Sequence, residues 1–309
     1  MDINFELYKT FYYCAQNKSF SIAAKKLFIS QSAVSQSIKG LEKQLGVTLF
    51  FRKSRNIQLT SEGDLLFSYV SQAFNFLKTA EAKLQEIEGL RAGEIRIGVS
   101  DSICKYFIMS HIKKFGEMYP NVTIKVINRT TPQLLEVLKN GLVDMTISTL
   151  PVNQEIFSSI PFIKVNDIFV ASQRFSQLQD KKISLDELNQ HPLVMLASYS
   201  STRKSIDAFF NSHGLTCSPE IELESLDLLV EFAIIGTGIA YVLKESALDS
   251  IKAGQLFEID LKETLPRREV GIVTMKNVML SKAVNTFIEI LVLEHPFPLK
   301  NPKNCHLLL

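Results

Sequence analysis

The sequence predicts an α/β protein preceded by an all-α module of the winged helix-turn-helix type and a long linker helix. Three observations carry that prediction. Residues 1–60 read as three helices and a basic hairpin, residues 61–92 as one long amphipathic helix, and residues 93–309 as strands alternating with helices. Charge divides along the same lines. The 309 residues include 34 Lys+Arg and 32 Asp+Glu, a formal net charge of +2. Residues 1–60 hold nine of the basic and three of the acidic residues, a net of +6, which leaves 25 basic and 29 acidic, a net of −4, for the rest. A basic end on a mildly acidic body predicts a polyanion-binding module joined to something else. With 46% hydrophobic residues, the chain can build real cores and is not a disordered protein.

In the first helix, Leu7, Phe11 and Cys14 recur at helical spacing, and Asn17-Lys18-Ser19 ends it. A short second helix is expected to start at Ser21 as N-cap, with Ala23, Ala24 and Leu27 on one side. Ile29-Ser30 makes a turn, Ser30 caps a third helix running to about Leu45, and Gly46 closes it. Val34, Ile38, Leu41 and Leu45 give that helix one apolar stripe. Ser32, Ser35, Gln36 and Lys39 fall on a different face, with Gln31 at the helix start. This face has short hydrogen-bonding groups, one cation and no carboxylate. Such a set suits a DNA recognition helix, in which Gln and Ser read base edges and Lys neutralises phosphate.

An ordinary solvated face is the plain alternative, and two neighbours count against it. The short helix and tight turn before it complete a helix-turn-helix. After it, Leu49–Arg52 and Ile57–Leu59 read as short strands around the basic tip Lys53-Ser54-Arg55-Asn56. Arg52, Lys53 and Arg55 are then expected to lie along phosphates or reach a minor groove.

A long helix follows from Thr60 or Ser61, with Ser61 and Asp64 approximating a capping pair. Leu66, Val70, Ala73, Leu77, Ala80, Leu84 and Ile87 recur at steps of four and three, and no proline intervenes before Gly93. This seam has the coiled-coil period, and its alanines permit close approach, so dimerisation is expected rather than packing on its own domain.

Strand-like runs in the body are Glu94–Val99, Thr123–Asn128, Met145–Ser148, Ile168–Ala171, Leu193–Leu196, Gly238–Val242 and Val270–Thr274. Helical patterns such as Gln133–Lys139 and Arg203–Ser212 separate several of them, which predicts largely parallel sheets. Gly236-Thr237-Gly238 is no dinucleotide fingerprint, because it follows a helix and opens a strand.

Other chemistry is sparse. Cys14, Cys104, Cys217 and Cys305 lie far apart and read as reduced thiols. Cys104, near an expected helix N-terminus, is the one candidate for a lowered thiol pKa and a redox role. The five histidines show no ligand spacing, and His295, Cys305 and His306 read as a tail rather than a metal site. No nucleophile elbow or phosphate-binding glycine loop occurs, so no catalytic residue, metal or cofactor is expected. Met1–Glu6 carry acids and no apolar run, which predicts no secretory leader. The most apolar stretch, Leu228–Leu243, is interrupted by Glu231 and the glycines, so no membrane span is expected.

Taken together, Ser19-Phe20-Ser21-Ile22-Ala23-Ala24-Lys25-Lys26-Leu27, Ser30–Ile38, Leu41-Glu42, Leu45-Gly46, Leu49-Phe50, Arg52, Arg55, Leu59-Thr60 and Gly63 resemble the LysR-type transcriptional regulators. The likeness continues through Glu94–Gly98, Tyr119-Pro120, Leu134–Asp144, Ser200–Phe210 and Gly236–Ala240. Two positions depart from the family's habit of proline, Ser32 early in the recognition helix and Leu243 after Tyr241-Val242. The resemblance implies a C-terminal effector domain of two Rossmann-like halves, similar to periplasmic solute-binding proteins. The first half would take 93–166 plus 267–309 and the second 167–266. The chain would cross near Asp167–Val170 and return near Pro266–Glu269.

Ligands of open α/β sheets bind at the carboxyl ends of strands, where helix N-termini favour anions. Hydroxyls occur at three such places, which makes Ser100, Ser102, Thr131, Ser201 and Thr202 the expected pocket for a small carboxylate or other oxyanion. The resemblance further implies double-stranded promoter or operator DNA as partner, a homodimer joined by the linker helix, and a tetramer built as a pair of dimers. RNA polymerase is a candidate partner, a membrane is not, and a bacterial cytoplasmic location is expected.

Overall fold

The computed structural model describes residues 3–51, 57–86 and 93–294. Helices α1 (Phe5–Asn17), α2 (Phe20–Leu27), α3 (Gln31–Leu45) and α4 (Ser61–Glu86) make up the N-terminal unit. Each of the first three begins on a side-chain cap: Asn4 accepts from the Glu6 amide, Ser19 from Ile22 and Ser30 from Ala33. Lys18, Phe28 and Gly46 end them in the left-handed conformation. The cap of α2 is therefore Ser19, not the expected Ser21. Ser19 is the residue with extended backbone, whereas Ser21 lies inside the first turn and donates to Gln31 Oε1 at 2.9 Å.

Phe11, Tyr12, Val34, Ile38, Leu41, Leu49 and Phe50 form the core of this unit, and Val70 and Phe74 of α4 complete it. Tyr12 stacks on Phe74 with ring centroids 4.8 Å apart. The two expected strands of the wing reduce, among the described residues, to one Phe50–Leu59 bridge. Hydrogen bonds from Phe51 to Gln58 and from Thr60 to Leu49 flank it. The expected Ser61–Asp64 capping pair is replaced by Thr60, whose hydroxyl accepts from the Gly63 amide at 3.0 Å and donates to the Thr48 carbonyl at 2.6 Å. Gly63 is required here: a Cβ would stand 2.2 Å from the Leu49 carbonyl oxygen.

The C-terminal unit holds two five-stranded sheets. The first half runs β1 (Gly93–Val99), α5 (Asp101–Ile103), a π-turn (Cys104–Ile108), α6 (Met109–Met118), β2 (Val122–Asn128), α7 (Thr131–Lys139), β3 (Met145–Thr149) and β4 (Phe157–Val165). The second runs β5 (Asp167–Ser172), β6 (Lys182–Ile183), α8 (Leu185–Leu188), β7 (Leu193–Leu196), α9 (Ser201–Ser212), β8 (Ile221–Leu223), α10 (Leu226–Ile234), β9 (Ile239–Leu243), α11 (Lys244–Lys252), β10 (Leu256–Glu258) and β11 (Asp260–Leu261). The chain then returns as β12 (Arg268–Met275) and α12 (Lys282–Glu294).

Strand orders are β2-β1-β3-β12-β4 and β10-β5-β9-β7-β8. The sheets are mixed, which corrects the expectation of largely parallel ones. β12 runs antiparallel to β3 and β4, and β5 antiparallel to β9 and β10. The antiparallel members include the strands by which the chain changes halves. In the second sheet, Ile168 and Val170 face one core while Phe169 and Ala171 face the other, the period-2 signature of a strand covered on both sides.

Candidate functional site

Two surfaces carry the chemistry. On α3, burial of Val34, Ile38 and Leu41 turns the opposite face outward. Gln31, Ser32, Gln36 and Lys39 are exposed there and Ser35 is half-buried. The Ser32 and Ser30 hydroxyls are 2.8 Å apart, so the serine standing in place of proline still supports the first turn. Gln31, Ser35 and Lys39 also line a groove of about 580 Å³ with Ser21, Lys18 and Phe51. Glu42 lies in the same groove but turns inward, accepting from the Leu49 amide at 2.8 Å and from Phe50 at 3.4 Å. That contact fixes the chain where it leaves the recognition helix for the wing. Arg52, Lys53 and Arg55 lie outside the described residues.

The seam on α4 divides. Val70 is buried in the core of the N-terminal unit and Leu66 packs against it, whereas Ala73, Leu77 and Ala80 are exposed. Leu65, Tyr69 and Phe76 extend the exposed apolar strip. The Leu84 side chain and Ile87 lie outside the described residues.

The second surface is a cleft of about 520 Å³ in the C-terminal unit. Ser100, Ser102, Thr131, Ser201 and Thr202 all line it. It forms where β1, β2, β3, β7 and β8 end, so that helical segments beginning at Asp101, Thr131, Ser201 and Leu226 point their first turns inward. Local hydrogen bonds hold these turns. Ser200 caps α9 through the Arg203 amide at 3.1 Å. Gln133 Oε1 accepts from the Thr130 amide at 3.2 Å and from its hydroxyl at 3.1 Å. The Thr131 hydroxyl accepts from the Thr149 amide at 3.2 Å, tying α7 to the end of β3. The free N–H groups of such turns, with the helix dipole behind them, favour an anion.

Sequence reasoning missed the cleft's charged members, Asp101, Arg129, Glu224 and Arg268. Arg129 directly follows β2, where the strand-end rule already applies, and Glu224 follows β8, which carries no strand signal in the sequence reading. Arg268 begins β12, which enters antiparallel beside β3, and this brings a strand's amino end to the cleft. Its guanidinium pairs with buried Asp167, with Nη2 2.7 Å from Oδ1 and Nε on Oδ2. Tyr199 donates its hydroxyl to Glu224, and that bond raises the Tyr199 pKa above the usual phenol value.

The described thiols are not activated, and His295, Cys305 and His306 lie outside the described residues. Burial pushes Cys14 up to about 12 and Cys217 up to about 11. Cys104, the one candidate for a lowered value, is raised instead, by burial and by the neighbouring Asp101 charge. Among the described residues no cluster of three or more His, Cys, Asp or Glu side chains can hold a metal ion. No helix among them is long and apolar enough to cross a membrane.

Residues 5–64 match the family model of the bacterial regulatory helix-turn-helix protein, LysR family. Residues 88–294 match that of the LysR substrate-binding domain. The chain belongs to the LysR family of transcriptional regulators. It is a DNA-binding regulator with a substrate-binding domain, not an enzyme. The HTH-type transcriptional activator CmpR of Synechocystis sp. is 29% identical over 285 residues, covering 92% of this chain and 93% of its own. The HTH-type transcriptional regulator CfxR of Cupriavidus necator is 28% identical over 269 residues, with 87% and 84% covered. Among solved structures, a full-length OxyR variant from Pseudomonas aeruginosa superposes with a TM-score of 0.72 at 19% identity, covering 95% of this chain and 96% of that one. CbnR, a LysR family transcriptional regulator, gives 0.66 at 16% identity over 95% and 99%. At these identities the structural likeness concerns the fold of this LysR-family chain.

Proposed function

We propose that this LysR-family chain is a cytoplasmic homo-oligomeric regulator whose DNA binding is controlled by a small oxyanion, a carboxylate above all, held in the cleft between the two α/β halves. One observation carries the reading. Hydroxyls and first helical turns from four separate segments face a single cavity of about 520 Å³, a size in the range of roughly 300–1,000 Å³ for small-molecule sites. On the DNA side, Gln31, Ser32, Ser35 and Gln36 read bases while Lys39, Arg52, Lys53 and Arg55 contact phosphate. The exposed strip around Ala73, Leu77 and Ala80 pairs two linker helices, and two such dimers form a tetramer. Control is a population shift: the oxyanion binds one arrangement of the halves more tightly than the other and thereby alters the spacing of the DNA-binding pairs.

A thermal-shift screen of small metabolites on the full chain tests this, because a ligand of the folded state raises its melting temperature. Carboxylates or other oxyanions are expected among the stabilising compounds. Stabilisation confined to compounds that carry no carboxylate or other oxyanion overturns the reading.

A further inference from the structure

The charges around the cleft say more about its ligand than the helix ends do. Four charged side chains line it: Asp101, Arg129, Glu224 and Arg268. Arg268 is neutralised by the two-point contact with buried Asp167. The remaining three are two carboxylates and one guanidinium. Asp101 is exposed and has no ion-pair partner among the described residues. Glu224 is exposed at the cleft and gives one oxygen, Oε1, to the Tyr199 hydroxyl. A ligand with two negative charges enters against both carboxylates with one unpaired guanidinium to balance it. A ligand with one negative and one positive charge satisfies both sets of groups.

We propose that the effector is a small zwitterion of the amino acid type, its carboxylate received by the hydroxyl-lined turns at Thr131, Ser201 and Thr202 and its ammonium by Glu224 and Asp101. The inference rests on the oxyanion reading of the cleft and narrows it. Glu224 is the specificity-determining residue, because a carboxylate held by Tyr199 prefers an ammonium donor over the bare hydrocarbon of a simple acid. Tyr199 is a positioning residue that acts through Glu224. Arg129, exposed in the cleft lining, supplies the counter-charge for the ligand's carboxylate.

The test uses the full-length protein and a panel of matched compounds: the standard L-amino acids, each acid lacking the amine (L-glutamate beside glutarate, L-alanine beside propionate), and sugar phosphates as polyanions. At about a hundredfold excess over Kd, at least one amino acid is expected to raise the melting temperature by on the order of 5 °C. Its deaminated counterpart should bind at least tenfold more weakly, and Glu224→Gln should remove that preference. Equal binding of amino acid and deaminated acid, or binding of polyanions alone, overturns the zwitterion while leaving the oxyanion reading intact. Binding confined to compounds that carry no carboxylate or other oxyanion overturns both. A panel in which no amino acid stabilises the protein overturns the proposal.

Discussion

Asp167 and Arg268 form a buried two-point ion pair that joins the two strands by which the chain passes between its α/β halves. Asp167 opens β5 and is fully buried, Arg268 opens β12 at 9% exposure, and Nη2 stands 2.7 Å from Oδ1. Arg268 also lines the cleft, and its Nη1 lies 3.4 Å from the Thr149 hydroxyl. The pair therefore couples the floor of the cleft to both crossings.

Removing one partner strands a buried charge, which costs about 3–5 kcal/mol. Asp167→Asn and Arg268→Met are each expected to lower the stability of the C-terminal unit by about that amount. The double variant should cost clearly less than the sum, since no lone charge is left. Urea denaturation of the four proteins measures the difference. Strict additivity would show that the two side chains do not act as a pair.

Glu42 provides a second structural test, in the N-terminal unit. Its buried carboxylate is the acceptor for the Leu49 and Phe50 amides. Glu42→Ala leaves them unsatisfied, at a cost of about 1–3 kcal/mol, and loosens the start of the wing. Lower thermal stability together with weaker DNA binding is expected. Intact stability with weakened DNA binding would instead assign Glu42 to the DNA contact itself.

The two kinds of DNA contact separate by their salt dependence. Gln36→Ala should remove about 1–3 kcal/mol of discrimination at one base pair and leave affinity for random duplex unchanged. Arg55→Ala should weaken specific and random duplexes alike and reduce the slope of log K against log salt by about 1. Fluorescence anisotropy at several salt concentrations measures both. Equal effects of both variants on specific and random duplexes would refute this division of roles.

These features differ in how far the sequence disclosed them. The helix-turn-helix is local: Ser30, Gly46 and the Val34–Ile38–Leu41 stripe declare a helix without reference to the rest of the chain, and α3 runs from Gln31 to Leu45. β4 was not predicted, because Pro161 interrupts the run Phe157–Val165. Proline is tolerated there because β4 is an edge strand and its register with β12 shifts beside Pro161. The five hydroxyls of the cleft were legible because each stands just after a strand or in the first turn of a helical segment. Arg268 was not, because its place depends on a strand returning antiparallel after about a hundred residues in the other half. The linker seam was legible as a period, but the period cannot say that Val70 joins one core while Leu77 stays outside.

The thiols yield a prediction about pH. A group raised to about 12, as Cys14 is, has on the order of one thiolate in ten thousand at pH 8, and Cys217 at about 11 has roughly one in a thousand. Alkylation of Cys14, Cys104 and Cys217 by iodoacetamide at pH 8 should be far slower in the native protein than in urea. Native rates at Cys14 and Cys217 should climb only as pH rises toward those values. Fast native labelling of Cys104, or a peroxide-induced disulfide seen by mass spectrometry that alters DNA binding, would revive a redox role.

Leu77, exposed at 47% on α4, tests the proposed pairing of linker helices. Leu77→Glu places a charge in the strip without touching the core that holds Val70. Sedimentation equilibrium should show a shift from dimer or tetramer toward monomer, with the folded content unchanged. An unaltered oligomer would move the interface elsewhere.

The central claim is that the cleft at Ser100, Ser102, Thr131, Ser201 and Thr202 receives a small oxyanion. Isothermal titration of a stabilising carboxylate into the wild-type chain and into Thr131→Val and Ser201→Ala tests it most directly. The account predicts saturable binding that weakens at least tenfold in each variant, the loss of about 1.4 kcal/mol. Unchanged affinity in both variants, or binding confined to compounds without a carboxylate or other oxyanion, would contradict it.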